Sequence, residues 1–142
     1  MNKISIIYYS TTGNTKEMAE ALEMGIKDAN GTVELTEISQ IDIKSVFSSD
    51  VIAMGSPACG VEVIEETYFE PFMENEGKNF KGKKVFLFGS YGWGGGEYAH
   101  NWKERLVELG AIIVADPILS VENPTSSDIE SLKEMGRKLV TV

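Results

Sequence analysis

Between positions 10 and 15 the chain reads Ser10-Thr11-Thr12-Gly13-Asn14-Thr15: four hydroxyls, a carboxamide and a glycine in six residues, none of them charged. The residues before it, Ile4–Tyr9, run Ile-Ser-Ile-Ile-Tyr-Tyr, the β-branched and aromatic pattern of a buried strand. Those after it place Met18, Leu22, Ile26 and Ala29 on one helical face at steps of four, four and three. A loop between a strand and a helix starting near Thr15 is therefore predicted. Helix N-termini present unpaired N–H groups and a partial positive charge, so they hold anions. Hydroxyls add donors, and Gly13 lets the backbone aim successive N–H groups inward. An ordinary N-cap needs one such side chain, not five. The segment predicts an anion site.

The kind of anion follows from what the loop lacks. It contains no lysine and no G-x-x-x-x-G-K-[ST], which argues against Mg-nucleotide chemistry, and no G-x-G-x-x-G for a pyrophosphate. A receiver domain of a response regulator needs an acidic pair after its first strand and an aspartate after its third; Ser10 and Gly55 stand in those neighbourhoods. A neutral loop suits one terminal phosphate that stays bound with its charge largely uncompensated.

Two further loops carry unusual residues. Gly89-Ser90-Tyr91-Gly92-Trp93-Gly94-Gly95-Gly96 sets a tryptophan among glycines, outside any amphipathic stripe, where it is suited to stack on a planar ligand. Ser56-Pro57-Ala58-Cys59-Gly60-Val61-Glu62 offers a turn glycine, a thiol and a carboxylate. One loop for a phosphate, one for a ring face and one for a ring edge together describe a site for flavin mononucleotide (FMN).

The elements that must position these loops alternate strand and helix. After the first helix, Asn30-Gly31 makes a stop; Val33, Leu35 and Ile38 suggest strand two, Ile41–Phe47 a short helix and Val51–Gly55 strand three. Pro71 fits the first turn of a helix through Phe72 and Met73. Lys84–Gly89 is strand four, and the helix over about 97–109 carries Ala99, Trp102, Leu106 and Leu109 on one face, making Trp102 a core residue. Ala111–Ala115 reads as strand five, resuming at Ile118–Val121 after Asp116-Pro117, and a last helix from about Ser127 carries Ile129, Leu132, Gly136 and Leu139. Five strands alternating with helices predict an α/β fold: a doubly wound, five-stranded parallel sheet of order 2-1-3-4-5 in a three-layer sandwich, with residues 1–142 forming one domain. Ligands of such sheets bind beyond the carboxyl ends of the strands where strands one and three diverge, which is where the three unusual loops emerge.

Composition limits the partners. The chain has 142 residues, 42% hydrophobic and 25% charged, with a net charge of −9. That balance disfavours nucleic acid and anionic membrane surfaces, leaving solubility or attraction to basic proteins. A single cysteine, Cys59, excludes an internal disulfide, and with no apolar run near the length of a membrane span and no leader pattern the expectation is a cytoplasmic monomer. His100, the one histidine, is expected on a solvated helix face.

With these residues in place, the chain resembles the short-chain flavodoxins over essentially its whole length. The markers are Thr-Gly-Asn-Thr at 12–15, Glu-Pro-Phe at 70–72 and Gly-Lys-Lys-Val-Phe-Leu-Phe-Gly-Ser-Tyr-Gly-Trp-Gly at 82–94, in family order. The resemblance implies that Ser10, Thr12, Asn14 and Thr15 hold the FMN phosphate, with Ser90 as a further hydroxyl. It implies that Trp93 covers one ring face, that Cys59 lies at the other, that Glu62 accepts from flavin N3–H and that the Gly60 carbonyl turns toward N5 on reduction. The candidate cofactor contacts are thus Ser10, Thr11, Thr12, Gly13, Asn14 and Thr15; Ser56, Pro57, Ala58, Cys59, Gly60 and Glu62; and Gly89, Ser90, Tyr91, Gly92, Trp93 and Gly94.

The implied activity is that of a one-electron carrier, not an enzyme, passing electrons between basic surfaces of flavin or iron–sulfur redox proteins. An uncompensated phosphate and the carboxylates of Glu62, Glu65, Glu66 and Glu97 disfavour an anionic hydroquinone, and about 1.4 kcal/mol corresponds to roughly 59 mV for one electron. A low second potential and a neutral semiquinone are expected. Cys59 stands where the family commonly has methionine. Val61 stands where turn-forming residues are usual, and a positive φ there costs on the order of 1–3 kcal/mol, which predicts weaker semiquinone stabilisation than in relatives. An FMN-dependent NAD(P)H reductase and a flavodoxin that activates ribonucleotide reductase are the alternatives; the chain is short for the first and has the Gly-Trp-Gly loop that the second lacks.

Overall fold

The computed structural model describes residues 1–59, 63–92 and 94–142, so the expectations resting on Gly60, Val61, Glu62 and Trp93 lie outside the described residues. The chain folds as β1 (Lys3–Tyr8), α1 (Asn14–Asp28), β2 (Thr32–Glu37), α2 (Ile43–Phe47), β3 (Val51–Gly55), α3 (Phe69–Glu76), β4 (Lys84–Tyr91), α4 (Glu97–Glu108), β5 (Ile112–Ile113), β6 (Ile118–Val121) and α5 (Ser126–Leu139). Short 3-10 turns at Ile38–Gln40 and Gly77–Phe80 complete it.

The sheet is parallel throughout, in the order β2-β1-β3-β4-β5, with β6 also paired to β4. The order expected from the sequence is therefore present, with its fifth position divided. Ile112 and Ile113 pair with Lys84 and Val85, and Ile118–Val121 pair with Phe88–Tyr91 further along the same strand. The expected Ala111–Ala115 strand shortens to two paired residues before Asp116-Pro117, where proline has no N–H to donate to a ladder.

Alternation along the strands sends side chains to two separate cores. Ile4, Ile6, Val51, Ala53, Phe86 and Phe88 pack under α1 and α5 with Met18, Leu22, Ile26, Leu132 and Leu139. Ile7, Ile52, Met54, Val85 and Leu87 pack on the opposite face with Val46 of α2, Phe69, Phe72 and Met73 of α3, and Trp102 and Leu106 of α4. Trp102 is a core residue as its spacing predicts, 2% exposed and edge-on to Phe69 at 5.2 Å between ring centroids. His100 is exposed on α4, 3.1 Å from Glu104. No helix of the described residues is long and apolar enough to cross a membrane.

Candidate functional site

The carboxyl ends of β1, β3 and β4 lie side by side, because Tyr8 is paired with Gly55 and Gly55 with Phe88. From these three ends come the loops that the sequence singles out.

The first loop is set by backbone. The Tyr9 N–H donates to the Gly55 carbonyl at 3.0 Å, extending the ladder by one residue, and the Gly13 N–H donates to the Ser10 hydroxyl at 3.0 Å. Gly13 has φ 93°, in the left-handed region, and no atom lies within 4 Å of where a Cβ would stand. Its place therefore follows from conformation and not from crowding. Gly13 is the N-cap of α1 with no side-chain hydrogen bond to the first turn. Thr11, Thr12 and Gly13 are exposed, and Ser10 and Asn14 half-buried. Thr15 is buried, and its hydroxyl lies 3.3 Å from that of Ser90 on β4. Two residues 75 positions apart, both expected at the phosphate, are thus brought into contact.

The second loop is held from within. Ser56 is fully buried; its hydroxyl donates to the Pro57 carbonyl at 2.8 Å and accepts the Glu65 N–H at 2.9 Å. Pro57, Ala58 and Cys59 are half-buried, and the Ala58 N–H donates to the Ser90 carbonyl at 2.9 Å. Cys59 and Val63 then close an antiparallel bridge, with N–H to O distances of 2.7 and 3.0 Å. Glu65, 3% exposed, accepts the N–H groups of Thr67, Tyr68 and Phe69 at 2.7, 2.7 and 2.9 Å. It is the acceptor for the start of α3. Its position four residues before Phe69, at a helix start, is the sequence signal for this second role. Glu66 and Glu97, by contrast, are exposed.

The third loop leaves β4 through Gly89, which is buried, and Ser90, 6% exposed. Tyr91 is half-buried, Gly92 exposed and Gly94 half-buried, and Gly94, Gly95 and Gly96 all have positive φ on the way to α4. Below them lies a residue that the sequence reading did not single out. Tyr98 is 1% exposed, and its hydroxyl donates to the Ser56 carbonyl at 2.8 Å. It precedes Trp102 by four on the buried stripe of α4, where a tyrosine hydroxyl requires a partner.

The surroundings resist negative charge. Burial, followed by Glu65 and Glu66, pushes the Cys59 thiol above its ordinary value. Desolvation and then Glu65 lead the causes that push up the Tyr9 phenol, whose ring lies 5.9 Å from that of Tyr68. Among the described residues, no cluster of histidine, cysteine, aspartate and glutamate is placed to hold a metal ion.

The arrangement brings an uncharged, hydroxyl-rich helix start next to two further loops at the carboxyl ends of the central strands. Thr11 and Thr12 are exposed just ahead of α1, and the second and third loops leave the same end of the sheet.

The family model described as Flavodoxin matches residues 6–136. The flavodoxin of Clostridium beijerinckii is 36% identical over 139 residues, covering 98% of this chain and 100% of its own, and that of Megasphaera elsdenii 38% identical over 135 residues, covering 95% and 98%. The solution structure of two-electron reduced Megasphaera elsdenii flavodoxin superposes with a TM-score of 0.87 at 39% identity, covering 95% of this chain and 98% of that one.

Proposed function

The chain belongs to the flavodoxin family, and from that membership we propose that it is a low-potential one-electron carrier holding FMN non-covalently at the ends of β1, β3 and β4. Flavodoxins bind FMN and transfer electrons between redox proteins. The observation that carries the reading is the uncharged donor set at the head of α1: left-handed Gly13, exposed Thr11 and Thr12, and no side-chain cap on the helix. FMN bound there supplies the electron-transfer chemistry. The residues of the chain supply the grip and the field.

Ser10, Thr11, Thr12, Asn14, Thr15 and Ser90 would hold the phosphate, together with the N–H groups around Gly13. Neutral donors leave its charge in place. Burial, and after it the Glu65 carboxylate, raises the Cys59 thiol and the Tyr9 phenol, and the same environment would disfavour further negative charge at a neighbouring ring. Both effects lower the potential of the second electron, so the working couple is the one between the one- and two-electron-reduced levels. Glu62 acts in the same sense, and its replacement by glutamine is expected to raise that potential. The net charge of −9 steers encounter toward basic surfaces on partner proteins.

The test is reconstitution of the flavin-free protein with FMN, followed by stepwise reduction under potential control. Tight uptake of FMN, two separated one-electron steps and no reduction by NAD(P)H alone are expected. Rapid reduction by NAD(P)H without a partner would reject the carrier reading in favour of a reductase.

A further inference from the structure

Ser56 is the residue at which the chain leaves β3, and it carries bonds from three directions. Its carbonyl accepts the Tyr98 hydroxyl at 2.8 Å, its hydroxyl accepts the Glu65 N–H at 2.9 Å, and the same hydroxyl donates to the Pro57 carbonyl at 2.8 Å. Tyr98 reaches it from α4. The same phenol lies 3.5 Å from the carbonyl of Ser90 at the end of β4, and that carbonyl accepts the Ala58 N–H at 2.9 Å. Gly89 leaves the necessary room: a Cβ there would stand 2.0 Å from the Ser56 carbonyl oxygen and 2.2 Å from the Tyr98 hydroxyl oxygen. One buried hydroxyl thus sits where the second and third loops begin.

We propose that Tyr98 is a positioning residue for the flavin ring: through Ser56, its hydroxyl fixes where Ala58, Cys59 and Val63 stand relative to the end of β4. The proposal rests on the flavin reading above. Without the hydroxyl, a carbonyl in a fully buried residue loses a hydrogen-bond partner, and such groups are costly to leave unpaired. The chain at Ser56 then shifts to recover a partner. The Ser56–Glu65 tie and the Cys59–Val63 bridge carry that shift to Cys59, Val63 and Glu65. The phosphate loop touches this assembly through the hydroxyl pair of Thr15 and Ser90, and the Ser90 hydroxyl is not the group that faces Tyr98. Ring binding and phosphate binding should therefore respond differently.

The experiment is Tyr98→Phe, with riboflavin, FMN and inorganic phosphate each titrated into the flavin-free protein and both midpoint potentials measured on the FMN form. Riboflavin and FMN are expected to bind less tightly by the same factor, about three- to tenfold for one hydrogen bond. Phosphate affinity is expected to stay unchanged, and at least one midpoint potential to move. Unchanged riboflavin affinity with unmoved potentials overturns the proposal, as does a loss of phosphate affinity in step with riboflavin. If Tyr98→Phe does not fold, Ser56→Ala decides, because it keeps the carbonyl and removes the Glu65 tie. The same ring-selective loss is expected there, and unaltered flavin binding overturns the proposal. Wild-type protein that takes up no flavin rejects the carrier reading instead. The clamp is then read from amide exchange at Ala58 and Glu65 in flavin-free Tyr98→Phe, where faster exchange supports it and unchanged exchange overturns it.

Discussion

Residues 10–15 and residues 56–69 follow neighbouring strands, yet they dispose of their polar groups in opposite ways. In the first, Thr11 and Thr12 are exposed, and the cap of α1 is a glycine that gives no side chain to the helix. In the second, Ser56 and Glu65 are buried, and between them they engage five backbone groups. One loop keeps its donors available at an exposed helix start; the other uses its acceptors to hold its own chain in place. The contrast teaches a division of labour, with exposed groups on the first loop, where the proposed function puts binding, and supporting groups under the second.

The largest test of that division is Glu65→Leu. Three backbone N–H groups at the start of α3 lose a charged acceptor, and buried donors without partners are expensive. A loss of about 3 kcal/mol or more in unfolding free energy is expected, read from urea denaturation of the flavin-free protein. Glu65→Gln, which retains one acceptor oxygen, should recover part of it. A loss under about 1 kcal/mol for the leucine variant would mean that water replaces the carboxylate and that the second loop is not self-supporting.

Thr12→Ala probes the other side of the contrast. An exposed hydroxyl in the first loop should contribute little to the fold, within about 0.5 kcal/mol. FMN affinity, however, is expected to fall about tenfold, the weight of a hydrogen bond to a charged group, measured by quenching of flavin fluorescence. If stability falls while affinity holds, Thr12 belongs with the supporting residues and the division fails at that position. Gly13→Ala stands next in size. Open space surrounds the added methyl, so the cost is the positive φ alone, about 1 kcal/mol of stability.

These two loops also explain what the sequence disclosed. The strand order and the start of α1 after residues 10–13 were legible because each rests on a local signal: β-branched runs and helical spacing. Trp102 was legible from spacing alone. The role of Glu65 was not, because a carboxylate near a ligand loop and a carboxylate capping a helix look alike until Glu65 is seen against the N–H groups of Thr67, Tyr68 and Phe69. Tyr98 was hidden for a related reason. Its stripe marks it as buried, but the acceptor that it meets lies 42 residues away, just past the end of β3. The split of the fifth strand position was half visible: Asp116-Pro117 marked the break, while the shortening of β5 to Ile112–Ile113 depends on pairing with β4.

The smallest expected effect concerns the support beneath the second loop. The Glu70 N–H, in the first turn of α3, donates to the Glu65 carbonyl at 3.0 Å, and the Glu70 carboxylate takes two bonds from Arg105 of α4 at 2.8 and 2.7 Å. The Arg105 hydrogen bonds hold the Glu70 carboxyl below its ordinary 4.5. Because the folded value lies below the unfolded one, the pair contributes stability above about pH 4.5, and that contribution is lost as pH falls through the lowered value. Both side chains are about one third exposed, so solvent screening keeps the effect below about 1 kcal/mol. Stability curves of wild type and Arg105→Met should therefore differ slightly at pH 7 and converge on acidification below pH 4.5. The deficit of Gly13→Ala, being conformational strain with no titrating group, should stay constant over the same range. A gap for Arg105→Met that does not narrow with acid would mean that Arg105 supports α3 through packing of its stem, and that the ion pair adds nothing to the frame of the second loop.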